Sequence, residues 1–116
     1  MKELGEFLRA MKVADLQEGA MSATDVDGSH VLLAKIGGEV SAVSGTCTHE
    51  ETDLGLGFML EERVVCPLHL SQFDLKTGQV MNPPATEPLK TFNVQIRGDE
   101  IFVEIKGRFL ITSAED

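Results

Sequence analysis

Short β-rich runs punctuated by turns recur along this chain, and where apolar and polar residues alternate they show the period of a β-strand with one buried face. The clearest stretch is "LKTFNVQIRGDEIFVEIK". In it Phe92, Val94 and Ile96 alternate with polar residues, Gly98-Asp99 turns the chain, and Ile101, Val103 and Ile105 alternate again. β-rich runs at 30–36 and 39–43 are bounded by Asp27-Gly28 and Gly37-Gly38, dipeptides suited to the left-handed backbone of tight hairpin turns. "GFMLEERVVC" predicts a hairpin turning at Glu61-Glu62, and "QFDLKTGQVM" another turning at Lys76-Thr77-Gly78. Two stretches depart from this rhythm. Leu4, Phe7, Leu8 and Met11 fall at i, i+3, i+4 and i+7, which predicts a short N-terminal helix packed on the body. "NPPATEP" (82–88) holds three of the four prolines and predicts a stiff surface loop, since proline fixes φ and cannot donate to a ladder. Such a loop either holds backbone against something that must not move or is a tight connection. The tail after Gly107, "RFLITSAED", reads as one more strand or a frayed end. Many short strands with regular turns define an all-β sandwich or barrel.

At 116 residues this is one domain, and its 42% apolar and 25% charged residues are ordinary for a globular one. There is no Trp or Tyr, so six Phe and the aliphatic residues must build the core. "MKELGEFLRAMKVADL" is interrupted by charge every few residues, unlike a secretory signal or a membrane span, and the expected location is cytoplasmic. A net charge of −9 leaves too few Lys and Arg to neutralise phosphates, which argues against nucleic acid and anionic membranes. It favours a partner with a basic docking face, although acidity also serves solubility alone.

Candidate chemistry is concentrated in "CTHEETDLGLGFMLEERVVCPLHL" (47–70). This segment holds both cysteines and two of the three histidines, as Cys47 with His49 and Cys66 with His69. In a reducing compartment two thiols rarely make a structural disulfide, which leaves inert buried thiols, a redox pair or metal ligands. Each pair sits in an expected turn, where side chains two or three residues apart can converge on one point. Two sulfurs and two nitrogens suit tetrahedral zinc, or a two-iron, two-sulfide cluster in which histidines replace two thiolates on one iron. Zinc fingers pair Cys with Cys and His with His around a helix. Here each loop mixes the two, and a hairpin intervenes.

Cys47-Thr48-His49 and Cys66-Pro67-Leu68-His69, at this spacing, resemble the two ligand loops of Rieske iron–sulfur proteins. The likeness extends to Gly78, to Pro83-Pro84-Ala85 as the proline loop covering the cluster, and to the closing strands, over roughly 12–106. It implies a single domain over 1–116 with a Rieske-like antiparallel β-sandwich. A small cluster-binding subdomain formed by the two loops would span about 44–85, and base sheets about 12–43 and 86–106. It also implies one 2Fe–2S cluster. Cys47 and Cys66 would hold the buried iron, and His49 and His69 the outer iron, with imidazole edges toward solvent. Two neutral imidazoles in place of two thiolates leave the oxidised cluster formally neutral, so adding an electron costs less. Such centres lie at about −150 to +300 mV, against about −400 mV for plant-type clusters.

Respiratory members of the family carry a membrane anchor and a disulfide bracing the loops; here the disulfide positions are Thr52 and Leu68, and no anchor-like run is present. The chain therefore looks most like the soluble Rieske-type ferredoxins. These are electron carriers rather than enzymes, and pass single electrons from a flavin-dependent reductase to a terminal oxygenase or similar redox protein. A monomer is expected. Two other readings stand beside this one: a small Rieske-like subunit of a nitrite reductase or oxygenase complex, and a structural zinc-binding β-domain. Where respiratory members direct hydroxyls at the cluster, this chain has Ser71, which can donate, and Phe73, which cannot, implying a potential toward the low end. One position departs from the ferredoxin pattern: the second histidine is usually followed by glycine, and here by Leu70. No nucleophilic triad or phosphate-cradling loop accompanies the motif. His30 reads as structural or exposed, and Glu50, Glu51, Asp53, Glu61 and Glu62 as either a docking rim or a solvated surface.

Overall fold

The computed structural model describes residues 5–48, 51–68 and 70–106. Eleven strands run through these residues, all paired antiparallel, in three sheets. The first sheet has the order β1 (Gly5–Lys12), β11 (Glu100–Lys106), β10 (Val94–Arg97). The second has the order β2 (Met21–Val26), β3 (Ser29–Ile36), β4 (Glu39–Ser44), β9 (Thr91–Phe92). The third is smaller, with β5 (Phe58–Leu60), β6 (Arg63–Val65), β7 (Gln72–Asp74) and β8 (Val80–Asn82) in sequence order. The fold is all-β, as expected. No helix among the described residues is long and apolar enough to cross a membrane.

Strand β3 joins the layers. Val31, Leu32, Leu33 and Ala34 are all fully buried, and strand alternation divides them between two cores. Val31 and Leu33 pack with Leu16, Val26, Ala42, Ile101, Val103 and Ile105 against the first sheet. Leu32 and Ala34 face the other way, toward Val43, Leu54, Val64, Phe73, Leu75 and both cysteines. A strand covered on both faces reads as a continuous apolar run rather than an alternating one. Each fully buried aliphatic side chain contributes about 1.5–3 kcal/mol. The cysteines thus belong to a core that the base sheet helps to build.

The expected turns lie where the dipeptides place them. Asp27 and Gly28 (φ +49° and +84°) connect β2 to β3, and Gly37 and Gly38 (φ +62° and +81°) connect β3 to β4. Glu61 turns β5 into β6, and Gly98 turns β10 into β11. Two expectations are corrected. The first dozen residues form a strand and not a helix: β1 pairs along β11, with a bulge between Arg9 and Met11. The extra residue, Ala10, brings Leu8 (opposite Val103) and Met11 (opposite Ile101) to one sheet face, so an i, i+3 spacing arises within a strand. Phe7 lies opposite Glu104, on the other face, where the Arg97 guanidinium stands 5.9 Å from its ring centre and 4.4 Å from that of Phe102. Leu4 and the tail after Gly107 lie outside the described residues. The run Phe92–Ile96 is also not one strand. Phe92 pairs with Ala42 in the second sheet, Val94 pairs with Val103 in the first, and Asn93 is the crossing point. Its side-chain amide donates to Glu104 Oε1 at 2.8 Å, while its carbonyl accepts from Glu104 N at 2.9 Å.

Candidate metal centre

Two loops of six residues, Cys47–Thr52 and Cys66–Ser71, are built alike. Each begins with a buried cysteine whose N–H donates to the carbonyl of the sixth residue, Thr52 or Ser71, at 2.8 Å. Each is clamped outside that bond by an antiparallel pair, Thr46 with Asp53 and Val65 with Gln72. Each bends at its fifth residue, where Glu51 has φ +57° and Leu70 φ +60°. The Leu70 backbone explains the glycine expected there. A left-handed conformation costs a residue with a Cβ about 1–2 kcal/mol and glycine almost nothing.

Cys47 and Cys66 are 1% and 0% exposed, share one apolar cluster, and are not joined in a disulfide. The structure brings these two of the four expected ligands together; His49 and His69, like Glu50, lie outside the described residues. The proline loop is fastened to both ligand loops. Thr48 Oγ1 donates to the Glu87 carbonyl at 2.7 Å, and the fully buried Ser71 Oγ accepts from Ala85 N–H at 3.0 Å. Of the two expected roles for "NPPATEP", holding backbone in place is the one these bonds serve. The Pro83-Pro84 peptide is cis.

His30 was expected to be structural or exposed, and its ring turns out to brace the first loop. Nδ1 meets Asp25 Oδ1 at 2.6 Å and Nε2 meets Asp53 Oδ1 at 2.7 Å. Asp53 also accepts from Gly55 N–H at 2.8 Å, capping the 3-10 turn Leu54–Leu56. Asp53 therefore already holds two partners within the chain, His30 and Gly55, with its side chain still partly exposed. The hydrogen bond from Asp25, then that from Asp53, raises the His30 pKa above its ordinary value, and His30 in turn lowers that of Asp53. The link to Asp53 spans 23 residues in sequence, which is why residue spacing did not reveal it. A surface cavity of about 350 Å³ lies elsewhere, between Ser29, Lys90, Phe92, Asn93 and Glu104, and includes no residue of either loop.

Two buried thiols in an apolar core, each at the head of a loop that carries a histidine two or three residues later, fit a sulfur-and-nitrogen metal cluster. Residues 6–93 match the description of the Rieske [2Fe-2S] domain, and the chain belongs to that family, whose cofactor is one Rieske-type 2Fe–2S cluster. Its relatives narrow the class. It is 39% identical over 98 residues to the 3-phenylpropionate/cinnamic acid dioxygenase ferredoxin subunit of Escherichia coli K12, covering 83% of this chain and 91% of that one. The solved ferredoxin of carbazole 1,9a-dioxygenase from Nocardioides aromaticivorans IC177 is similar with a TM-score of 0.79 at 34% identity, over 84% of this chain and 95% of the other. A chain of the complex of reduced oxygenase and oxidized ferredoxin in carbazole 1,9a-dioxygenase is similar as well (TM-score 0.78, 28% identity, 84% and 91% covered). The protein is an electron-transfer component of the Rieske ferredoxin type, not itself a catalyst.

Proposed function

We propose that Cys47 and Cys66 bind the inner iron, and His49 and His69 the outer iron, of a 2Fe–2S cluster seated between the two loops. The chain then carries single electrons from a flavin-dependent ferredoxin reductase to a terminal oxygenase. The observation that carries this reading is the matched pair of loops burying both thiols in one core. When bound, such a cluster gains and releases one electron at a time. The protein supplies the rest. The core keeps water from the thiol side, the proline loop holds the two ligand loops, and segment 44–85 works as the cluster-binding part of a monomer carried on the base sheets. A reducing cytoplasm, where two cysteines stay available as metal ligands, is the compartment this reading assigns.

Iron and acid-labile sulfide analysis of the purified protein tests the assignment. Two irons and two sulfides per chain are expected, with loss of the cluster's absorption in Cys47→Ser, Cys66→Ser, His49→Ala and His69→Ala. A colourless protein binding one zinc overturns the reading. Phe73, fully buried and without a hydroxyl, keeps the potential toward the low end, so a midpoint above about +150 mV overturns that part.

A further inference from the structure

The cavity of about 350 Å³ lies where Asn93 carries the chain from the second sheet to the first, and its size is that of a small-ligand site. Half-buried Phe92 and buried Ile105 give it an apolar wall. Lys90, Ser29 and Glu104 bring an ammonium, a hydroxyl and a carboxylate to the same lining. Glu104 is fixed from two sides. Its Oε1 accepts from the Asn93 amide at 2.8 Å, and its carboxylate lies over Gly5, where a Cβ would overlap Oε2, Cγ and Cδ. Gly5 does not have a left-handed backbone, so what its missing Cβ supplies is room for this side chain. Lys90 and Glu104 are opposite charges on one cavity, yet no ion pair joins them, and neither pairs with any other described residue. The Ser29 hydroxyl likewise has no hydrogen-bond partner among the described residues.

We propose that this cavity is a binding site for a small zwitterion with an apolar side chain, an α-amino acid of the leucine or phenylalanine kind. Its carboxylate goes to Lys90 and Ser29, its ammonium to Glu104, and its side chain to Phe92 and Ile105. Charge selects this class. A simple anion meets Glu104 and the −9 field of the whole chain. A simple cation is drawn by that field but meets Lys90 at the cavity itself. A zwitterion carries no net charge and answers both groups, each through a charge-assisted hydrogen bond. An uncharged apolar molecule would displace water from Lys90 and Glu104 and leave both without partners. No residue of either ligand loop lines the cavity, so the site stands independently of the carrier role.

Calorimetric titration of the full chain with L-leucine and L-phenylalanine tests the assignment. At least one of them is expected to bind with a Kd below about 1 mM and to raise the melting temperature. Matched analogues separate the two charges: isocaproate and hydrocinnamate lack the ammonium, isoamylamine and phenethylamine the carboxylate. Each is expected to bind about tenfold more weakly than its parent amino acid, equivalent to ~1.4 kcal/mol. Lys90→Gln and Glu104→Gln each weaken binding of the amino acid about tenfold, whereas Lys90→Arg, which keeps the charge, stays within about threefold of wild type. The amide in Glu104→Gln can still accept from Asn93, and Lys90→Gln decides the matter if that variant fails to fold. Analogues that bind as tightly as the amino acid overturn the zwitterion. Unchanged affinity in both Lys90→Gln and Glu104→Gln overturns the site. No binding of either amino acid at about 10 mM overturns the proposal as a whole and leaves the carrier role standing.

Discussion

The loop from Cys47 to Thr52 and the loop from Cys66 to Ser71 share their length, their closing hydrogen bond and a left-handed fifth residue, yet their surroundings differ. Behind the first stand Gly45 and the His30 ring, the ring bonded to Asp53. Its tether to the proline loop, Thr48 to Glu87, is exposed to water. Behind the second stand the Val65 and Gly57 backbones, and its tether, Ser71 to Ala85, is fully buried. One backbone plan therefore sets each cysteine, while the support behind the first loop is a polar, partly exposed ring and that behind the second is backbone with a buried tether. Low-dielectric surroundings make each polar bond of the second loop harder to replace by water.

The sharpest way to break this contrast is to add one methyl group behind each loop. In Gly57→Ala the new Cβ meets the Val65 carbonyl, one residue before Cys66, and backbone on both sides has little room to yield. A loss of about 3 kcal/mol in urea unfolding is expected, with reduced iron per chain. In Gly45→Ala the nearest atom is His30 Cδ2 at 2.6 Å, the edge of a ring that can yield only by loosening its partly exposed bonds to Asp25 and Asp53. About 1 kcal/mol is expected there, with iron content retained. Equal losses at the two glycines would show that the loops are equally rigid.

The tethers offer a smaller but cleaner comparison. Ser71→Ala leaves the Ala85 N–H without an acceptor at a buried site, and about 2 kcal/mol of stability is expected to go with it. Thr48→Val removes a donor from the Glu87 carbonyl where water can substitute, costing about 0.5–1 kcal/mol. Denaturation of the two single variants and the double variant checks both the order and the additivity. Strong coupling between the two would mean that the proline loop transmits strain from one ligand loop to the other.

The parts of this molecule legible from residue order were those fixed by short-range chemistry. Asp27-Gly28, Gly37-Gly38 and Gly98 need only a left-handed turn, and each lies at a turn. Ser71 and Phe73 were singled out by the resemblance to respiratory family members, and both are fully buried. The misreadings came from pairings that only the folded sheet reveals. Ala10 is a bulge because β11 passes it without a matching residue, and that bulge imitates helical spacing at Leu8 and Met11. Asn93 is a crossing point because β4 and β11 claim its two neighbours for different sheets. Leu70 was noticed as a departure from glycine, but the cost of that departure became clear only from its φ.

The smallest expected effect concerns His30, which supports the first loop and not the second. With its pKa raised above an ordinary value of about 6.5, the imidazolium form is favoured by folding. Its contribution is fully present below pH 6.5 and is lost as pH rises through the raised value. Asp53 has the opposite sign: its pKa is lowered from 3.8, so its share is present above that value and is lost as pH falls through the lowered one. Both contributions coexist between about pH 4 and 6.5. Asp25 is 75% exposed and Asp53 40%, so solvent screening holds the effect to under about 1 kcal/mol. Urea unfolding of wild type and His30→Gln at about pH 5.5 and 8.5 reads it as a difference of differences, in which other titrating groups cancel. The wild type is expected to exceed the variant at the lower pH and to converge on it at the higher. A constant gap would mean that the ring holds the loop by shape, through Gly45, and that its charge contributes nothing.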